Sequence, residues 1–148
     1  MSFQHILVPT DGTDFCSRAV DSAIEIAAVR HAELLALRVV RRYASHYFDG
    51  VAAIIPEEFV EAEAQSVDVA RTNMTGLAER AQSRGVQMTT LIAVSDAIAE
   101  TIVSVAAEHG SDLIVMASHG RSGLVRFLMG SETDQVLSHS KVPVLVVR

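Results

Sequence analysis

Short apolar runs alternate along this chain with longer stretches of helical periodicity, the pattern of βαβ units and a parallel sheet. Phe3 to Val8 (FQHILV) reads as strand one. Cys16, Ala19, Val20, Ala23, Ile24 and Ala27 then recur at three- and four-residue spacing, which predicts a helix with one buried face. Glu33 to Val40 (ELLALRVV) reads as strand two. Val86 to Ala93 reads as strand three, introduced by Gly85 as a helix stop. Ile98, Ile102, Val105 and Ala106 share one face of a helix that stops at Gly110. Leu113 to Ala117 (LIVMA) is strand four, a last helix begins near Ser131, and Val144 to Val147 (VLVV) is strand five.

The stretch from Arg41 to Arg84 separates strands two and three. Its first part, RRYASHYFDGVAAIIP, has no clean period and reads as a long loop, of a length that is usually functional or mobile. Pro56 then opens a long helix, with Glu57 and Glu58 in a first turn where carboxylates suit the helix dipole. Val67, Ala70, Met74, Leu77, Ala78 and Ala81 form its buried stripe. No repeat or linker interrupts the pattern, so residues 1–148 read as one domain.

Strands four and five are almost wholly apolar, as expected of strands covered on both faces. Pro143 could not sit inside a central strand, which places strand five at a sheet edge. An uncovered apolar edge needs protection, and pairing with a second copy supplies it. A homodimer through Val144–Val147 is therefore expected.

Composition narrows the function. The mean hydropathy is +0.30, yet no apolar run approaches the roughly 20 residues that span a bilayer. The opening MSFQHILVPTDG has no basic region and reaches Pro9 and Asp11 too early for a signal peptide. A cytoplasmic protein without a membrane partner is expected. The net charge of −6 argues against nucleic acid, whose phosphate backbone needs a basic face. Eleven of the basic residues are arginine and one is lysine, Lys141, and no Gly-Lys pair exists, which removes a Walker A loop. Phosphate binding would have to use backbone N–H groups, hydroxyls and arginine. The single cysteine, Cys16, excludes an intrachain disulfide and a cysteine metal cluster, and its place on a helix's apolar face marks a buried thiol.

The segment MASHGRSGLVRFLMGSET, Met116 to Thr133, concentrates the candidate chemistry. A buried-type strand ends in a small residue. Ser118, His119 and Gly120 follow, then a loop with Arg121 and Arg126, then Gly130-Ser131 at a helix start. Small residues admit a ligand to the backbone, and helix N–H groups with guanidiniums favour an anion. Ser131 caps its helix, with Asp134 completing a capping box, or meets a phosphate. Arg121 and Arg126 neutralise phosphate or are merely solvated, and His119 donates to a phosphate or lies at a loop rim. Doubly wound sheets bind ligands where strand order reverses, beyond the C-terminal strand ends. In a 3-2-1-4-5 order the reversal falls between strands one and four. Pro9-Thr10-Asp11-Gly12 and Ala117-Ser118-His119-Gly120 would then line one crevice. Asp11 accepts from a ribose hydroxyl or adenine amine, or caps the next helix. Asp14 reads as a cap or first-turn acid.

These residues resemble the universal stress protein family, in its UspA-like nucleotide-binding branch. The resemblance runs through HILVPTDGT, ELLALRVV, VSDAIAETIVSVAAEHGSDLIVMASHG and GSETDQVLSHSKVPVLVVR. That branch carries Gly-x2-Gly-x9-Gly-Ser/Thr; Gly120, Gly130 and Ser131 match it, while Ala117 stands at the first glycine and Ser95 where the family often has glycine. The resemblance implies a three-layer α/β/α, Rossmann-like fold of the adenine nucleotide alpha hydrolase kind, with a five-stranded parallel sheet of order 3-2-1-4-5. It implies dimerisation through strand five and ATP in the crevice, with Mg²⁺ on the triphosphate. The Val39 backbone would meet the adenine, and Pro9, Thr10 and Asp11 would line the adenosine. Met116, Ala117, His119, Gly120, Arg121, Gly130, Ser131, Glu132 (through its backbone) and Thr133 would surround ribose and phosphates. The implied role is regulatory, in a stress response, with slow hydrolysis at most, since no constellation commits to a catalytic base. A nucleotide-free dimeric interaction module is the alternative that Ala117 favours. A phospho-receiver domain is excluded, because strand three ends Ile92-Ala93-Val94 without the aspartate it needs and Lys141 precedes strand five. Two tyrosines and no tryptophan argue against a flavin.

Overall fold

The computed structural model of the chain describes residues 2–42, 56–118 and 129–148. Five strands and four helices alternate: β1 (His5–Pro9), α1 (Asp14–Arg30), β2 (Glu33–Val40), α2 (Glu57–Ser83), β3 (Met88–Val94), α3 (Ile98–Glu108), β4 (Leu113–Ala117), α4 (Ser131–His139) and β5 (Val144–Val147). All pairings are parallel and the sheet order is β3-β2-β1-β4-β5. Strand alternation sends Ile6, Val8, Leu34, Ala36, Leu113 and Val115 into a core under α1 and α2. Leu7, Leu35, Leu37, Ile114 and Met116 face the other way, against Ala99, Ile102, Val105 and Ala106 of α3 and Val136 of α4. The three layers follow from this, with the sheet in the middle.

The six apolar positions that predict α1 are the six that it buries. The bounds of β2, β4 and β5 also fall where the apolar runs place them. The other two strands are displaced. β1 begins at His5, because the Asp112 carboxylate accepts the backbone N–H groups of Gln4 (2.8 Å) and His5 (3.1 Å) ahead of regular pairing. β3 begins at Met88, because Val86 belongs to the end of α2: its N–H returns to the Ala81 carbonyl at 3.0 Å while Gly85 turns the chain at φ +75°.

The stripe of α2 is buried only at Ala70, Met74 and Ala81, with Val67, Leu77 and Ala78 half-buried. A 27-residue helix is about 40 Å long, whereas the seven-residue β3 beneath it spans about 23 Å, so α2 overhangs the sheet. Likewise β4 is buried throughout, but β5 is half-buried with Leu145 exposed. Among the described residues no strand pairs with the outer flank of β5. Among the described residues, no helix is long and apolar enough to cross a membrane.

Candidate functional site

The order reversal does fall between β1 and β4, and the two strands part there. They pair only near their N-terminal ends, Ile6 with Leu113 and Leu7 with Ile114, and pairing stops. On its other side β1 pairs with β2 as far as Pro9↔Leu37. Thr10 donates to the Leu37 carbonyl at 2.9 Å, so the Thr10 N–H faces β2 and, by alternation, position 9 faces β4. The N–H groups of Ile114 and Ser118 donate to Pro143 and Val147, which turns Val115 toward β1. The next rung between β1 and β4 would be an N–H of residue 9 to the Val115 carbonyl. Proline has no such donor. Pro9 therefore ends the seam, and a crevice opens over the ends of both strands. This is why a proline is tolerated within the central strand, where the sequence pattern stops one residue short of it.

The wall from β1 is a tight turn. Gly12 lies at φ +78° and its N–H donates to Thr10 Oγ1 at 3.2 Å. The positive φ favours glycine here, and a Cβ would also stand 3.2 Å from Asn73 Nδ2 of α2, which would have to give by a few tenths of an ångström. Asp11 Oδ1 accepts from the Thr13 N–H at 2.9 Å and from its hydroxyl. The carboxylate thus braces the approach to α1, whose cap residue is Thr13 and whose first-turn acid is Asp14. Asp11 Oδ2 is buried, with no hydrogen-bond partner among the described residues. Burial pushes the Asp11 pKa up, but the two bonds from Thr13, the Cys16 thiol and the Arg38 charge outweigh it, and the net shift is downward. The carboxylate is ionised and keeps one acceptor oxygen. Cys16, buried beneath it, is pushed up to about 11 by that burial and by the facing Asp11, so its thiol is inert at neutral pH.

The opposite wall is the junction of β4 and α4. The chain leaves the sheet at Ser118 and is back beside it at Gly130, whose N–H donates to the Ser118 carbonyl at 2.9 Å. Thr133, 3 % exposed, donates its hydroxyl to the carbonyls of Ala117 (3.1 Å) and Ser118 (3.3 Å). Its side chain thus fastens α4 to β4. Gly130 is the helix cap residue and offers no side chain, and the first intrahelical bond is Asp134 N–H to Gly130 O at 3.0 Å. Ser131 does not cap the helix; it occupies the first helical position and donates its hydroxyl to Glu132 Oε2 at 2.9 Å. The capping box with Asp134 is accordingly absent. The first N–H groups of α4 have no intrahelical acceptor and point out of its N-terminus.

Val39 and Met116 lie on the α3/α4 side, and Leu37 turns its carbonyl to β1. By alternation the N–H and C=O of Val39, two residues on, point past the last paired residue of β1, over the crevice. Ala117 is buried in the core under α1, so its methyl packs away from the α3/α4 side and toward that core. Pro9, Thr10, Asp11, Val39, Met116, Ala117, Gly130, Ser131, Glu132 and Thr133 therefore gather at one end of the sheet. His119, Gly120 and Arg121, with Arg126, lie outside the described residues.

Three residues of this region escape the sequence motifs. Arg38 interrupts an otherwise apolar strand, and that break is its signal. Asn73 has none, since only the docking of α2 brings it to Gly12. Arg41, just past β2, pairs with Glu132 across the crevice at 3.2 Å. Among the described residues no cluster of three or more His, Cys, Asp or Glu could hold a metal ion.

The chain matches the model of a known family, the universal stress protein family, over residues 2–148. It is 34 % identical to universal stress protein YxiE of Bacillus subtilis, over 99 % of each chain. The structure of UspA from Lactobacillus plantarum superposes with a TM-score of 0.88 at 27 % identity, covering 100 % of this chain and 99 % of that one. A universal stress protein solved in complex with cAMP superposes with a TM-score of 0.67 at 28 % identity, covering 100 % and 98 %.

Proposed function

The chain belongs to the universal stress protein family, and from that premise we propose that it is a cytoplasmic regulatory protein that binds an adenine nucleotide, ATP with Mg²⁺, in the β1/β4 crevice. The observation that carries the reading is the crevice itself: Pro9 opens it, and three kinds of recognition group border it. The Val39 backbone offers a donor and an acceptor suited to an adenine edge. Asp11 supplies a carboxylate, the group that accepts from a ribose hydroxyl, and its buried Oδ2 has no hydrogen-bond partner among the described residues. The N-terminus of α4 offers N–H groups suited to phosphate. The relative solved with cAMP supports the adenine class. Mg²⁺ would ride on the ligand's phosphates. Nothing at the crevice among the described residues is placed as a general base, so the bound nucleotide is a signal and turnover is slow at most.

Calorimetric titration tests this: ATP with Mg²⁺ should bind, and absence of heat at millimolar ATP would sink the reading. The competing function, a nucleotide-free interaction module, draws on Ala117 in place of the family glycine. The burial of that methyl in the α1-side core speaks for binding. Ala117→Gly separates the two, because gain of ATP binding in that variant alone would place the native chain with the module.

The same proposal includes a homodimer through β5. Its support is a free apolar edge with Leu145 exposed, and a groove of about 590 Å³ beside it lined by Phe3, Ile26, Val29, Leu113 and Pro143. A monomeric mass by light scattering at micromolar concentration would count against it.

A further inference from the structure

The Arg41–Glu132 pair links the end of β2 to the first turn of α4. Arg41 follows the last residue of β2, and Glu132 sits in the first turn of α4, 91 residues later. Between them pass the ends of β1 and β4, over which a ligand running from Val39 to the α4 N-terminus would lie. The two oxygens of Glu132 are both engaged: Oε1 by Arg41 at 3.2 Å and Oε2 by the Ser131 hydroxyl at 2.9 Å. A guanidinium, a hydroxyl and a helix N-terminus are the groups that recognise a phosphate, and here a carboxylate of the chain itself holds two of them.

We infer that Glu132 is a resident stand-in for phosphate, and that the Arg41–Glu132 pair sets the crevice's preference among ligands of different phosphate charge. The inference rests on the nucleotide reading above and adds to it the residues that decide which nucleotide is favoured. An incoming phosphate takes the Ser131 hydroxyl and shares or captures Arg41, and the Glu132 carboxylate swings aside. The pair is half-exposed, with side chains 60 % and 40 % accessible. Such pairs are weak, so the stand-in lowers phosphate affinity by about fivefold at most and can be displaced. Each added phosphate charge meets both the Arg41 attraction and the Glu132 repulsion, whereas an uncharged nucleoside meets neither.

The experiment is calorimetry of the full chain and of Glu132→Gln and Arg41→Ala with four probes: adenosine, AMP, ATP and inorganic tripolyphosphate. Both side chains lie on the surface, and circular dichroism checks that each variant is folded. Glu132→Gln should tighten ATP and tripolyphosphate by about fivefold, AMP by less and adenosine not at all. Arg41→Ala should weaken ATP and tripolyphosphate by about tenfold and leave adenosine within twofold. Both effects should shrink at high ionic strength. Equal changes for adenosine and ATP, or no change for either, would overturn the inference while leaving nucleotide binding standing. The expected pattern with tripolyphosphate, with no binding of adenosine or AMP, would uphold the pair and remove the adenine reading. Binding of none of the four probes by any of the three proteins would remove both.

Discussion

Strand β1 has two flanks that behave differently. Toward β2 it pairs along its whole length, from His5↔Glu33 to Pro9↔Leu37. Toward β4 it pairs at two positions and then lets go. Both neighbours are parallel and both are lined with buried apolar side chains, so hydrophobicity does not explain the difference. Two other things do. Residue 9 presents its backbone to the β4 flank, where a missing N–H removes a rung, while Thr10 presents its own to β2, where the rung is made. In addition, the strand order reverses there: the helix after β1, α1, packs on one face of the sheet and the helix after β4, α4, on the other. A site can thus be opened in a packed sheet by one absent donor, at the place where the strand order already reverses.

Breaking the closed flank should have the largest effect. Leu37 is fully buried and its carbonyl accepts the Thr10 bond; Leu37→Ala should cost about 2–5 kcal/mol of stability by denaturant titration. Next comes the tie that holds the far wall. Thr133→Val removes the hydroxyl from the Ala117 and Ser118 carbonyls at nearly constant volume and should cost about 1–2 kcal/mol. It should also weaken ATP, because α4 loses its fixed position against β4.

Two pH experiments sharpen the near wall. The Asp11 carboxyl is lower in the folded chain than its ordinary 3.8, so its ionised form contributes stability that is present above that value and lost as pH falls through the folded one. Asp11→Asn should flatten the acid limb of the unfolding curve. The Cys16 thiol moves the other way, from 9.0 to about 11. Its contribution is intact below pH 9 and declines as pH rises toward 11, and Cys16→Ala should remove that decline. The smallest change in stability should come from the residue that opens the crevice. Pro9→Ala restores a donor, worth about 1 kcal/mol, but loosens the unfolded chain by about as much. Stability should stay nearly constant while a protected amide appears at position 9 in hydrogen exchange and ATP affinity falls.

The elements that the sequence pattern places correctly are those whose limits are set by their own residues. β2, β4 and β5 are apolar runs flanked by polar ones, and α1 is a clean amphipathic period. The displaced boundaries have distant causes. Asp112 reaches across the sheet to Gln4, 108 residues away, and no local pattern encodes that. Val86 looks like the head of a strand because it is apolar and buried, but its N–H already closes α2. At the site, Pro9, Thr10, Asp11, Gly130 and Ser131 stand out as small and turn-forming, and the strand order brings them together. Their partners do not stand out. Ser131 looks like a helix cap until its hydroxyl meets Glu132, and Glu132 is held by Arg41 from the other end of the sheet. Opposite charges far apart in sequence become a pair only through topology.

The neck at Ser118 and Gly130 has a further consequence. The Gly130–Ser118 hydrogen bond and the two bonds of Thr133 fix where the chain leaves the scaffold and where it rejoins. The place of the α4 N-terminus is therefore set by the last carbonyls of β4, so any change that shifts the end of that strand is passed directly to the first turn of the helix.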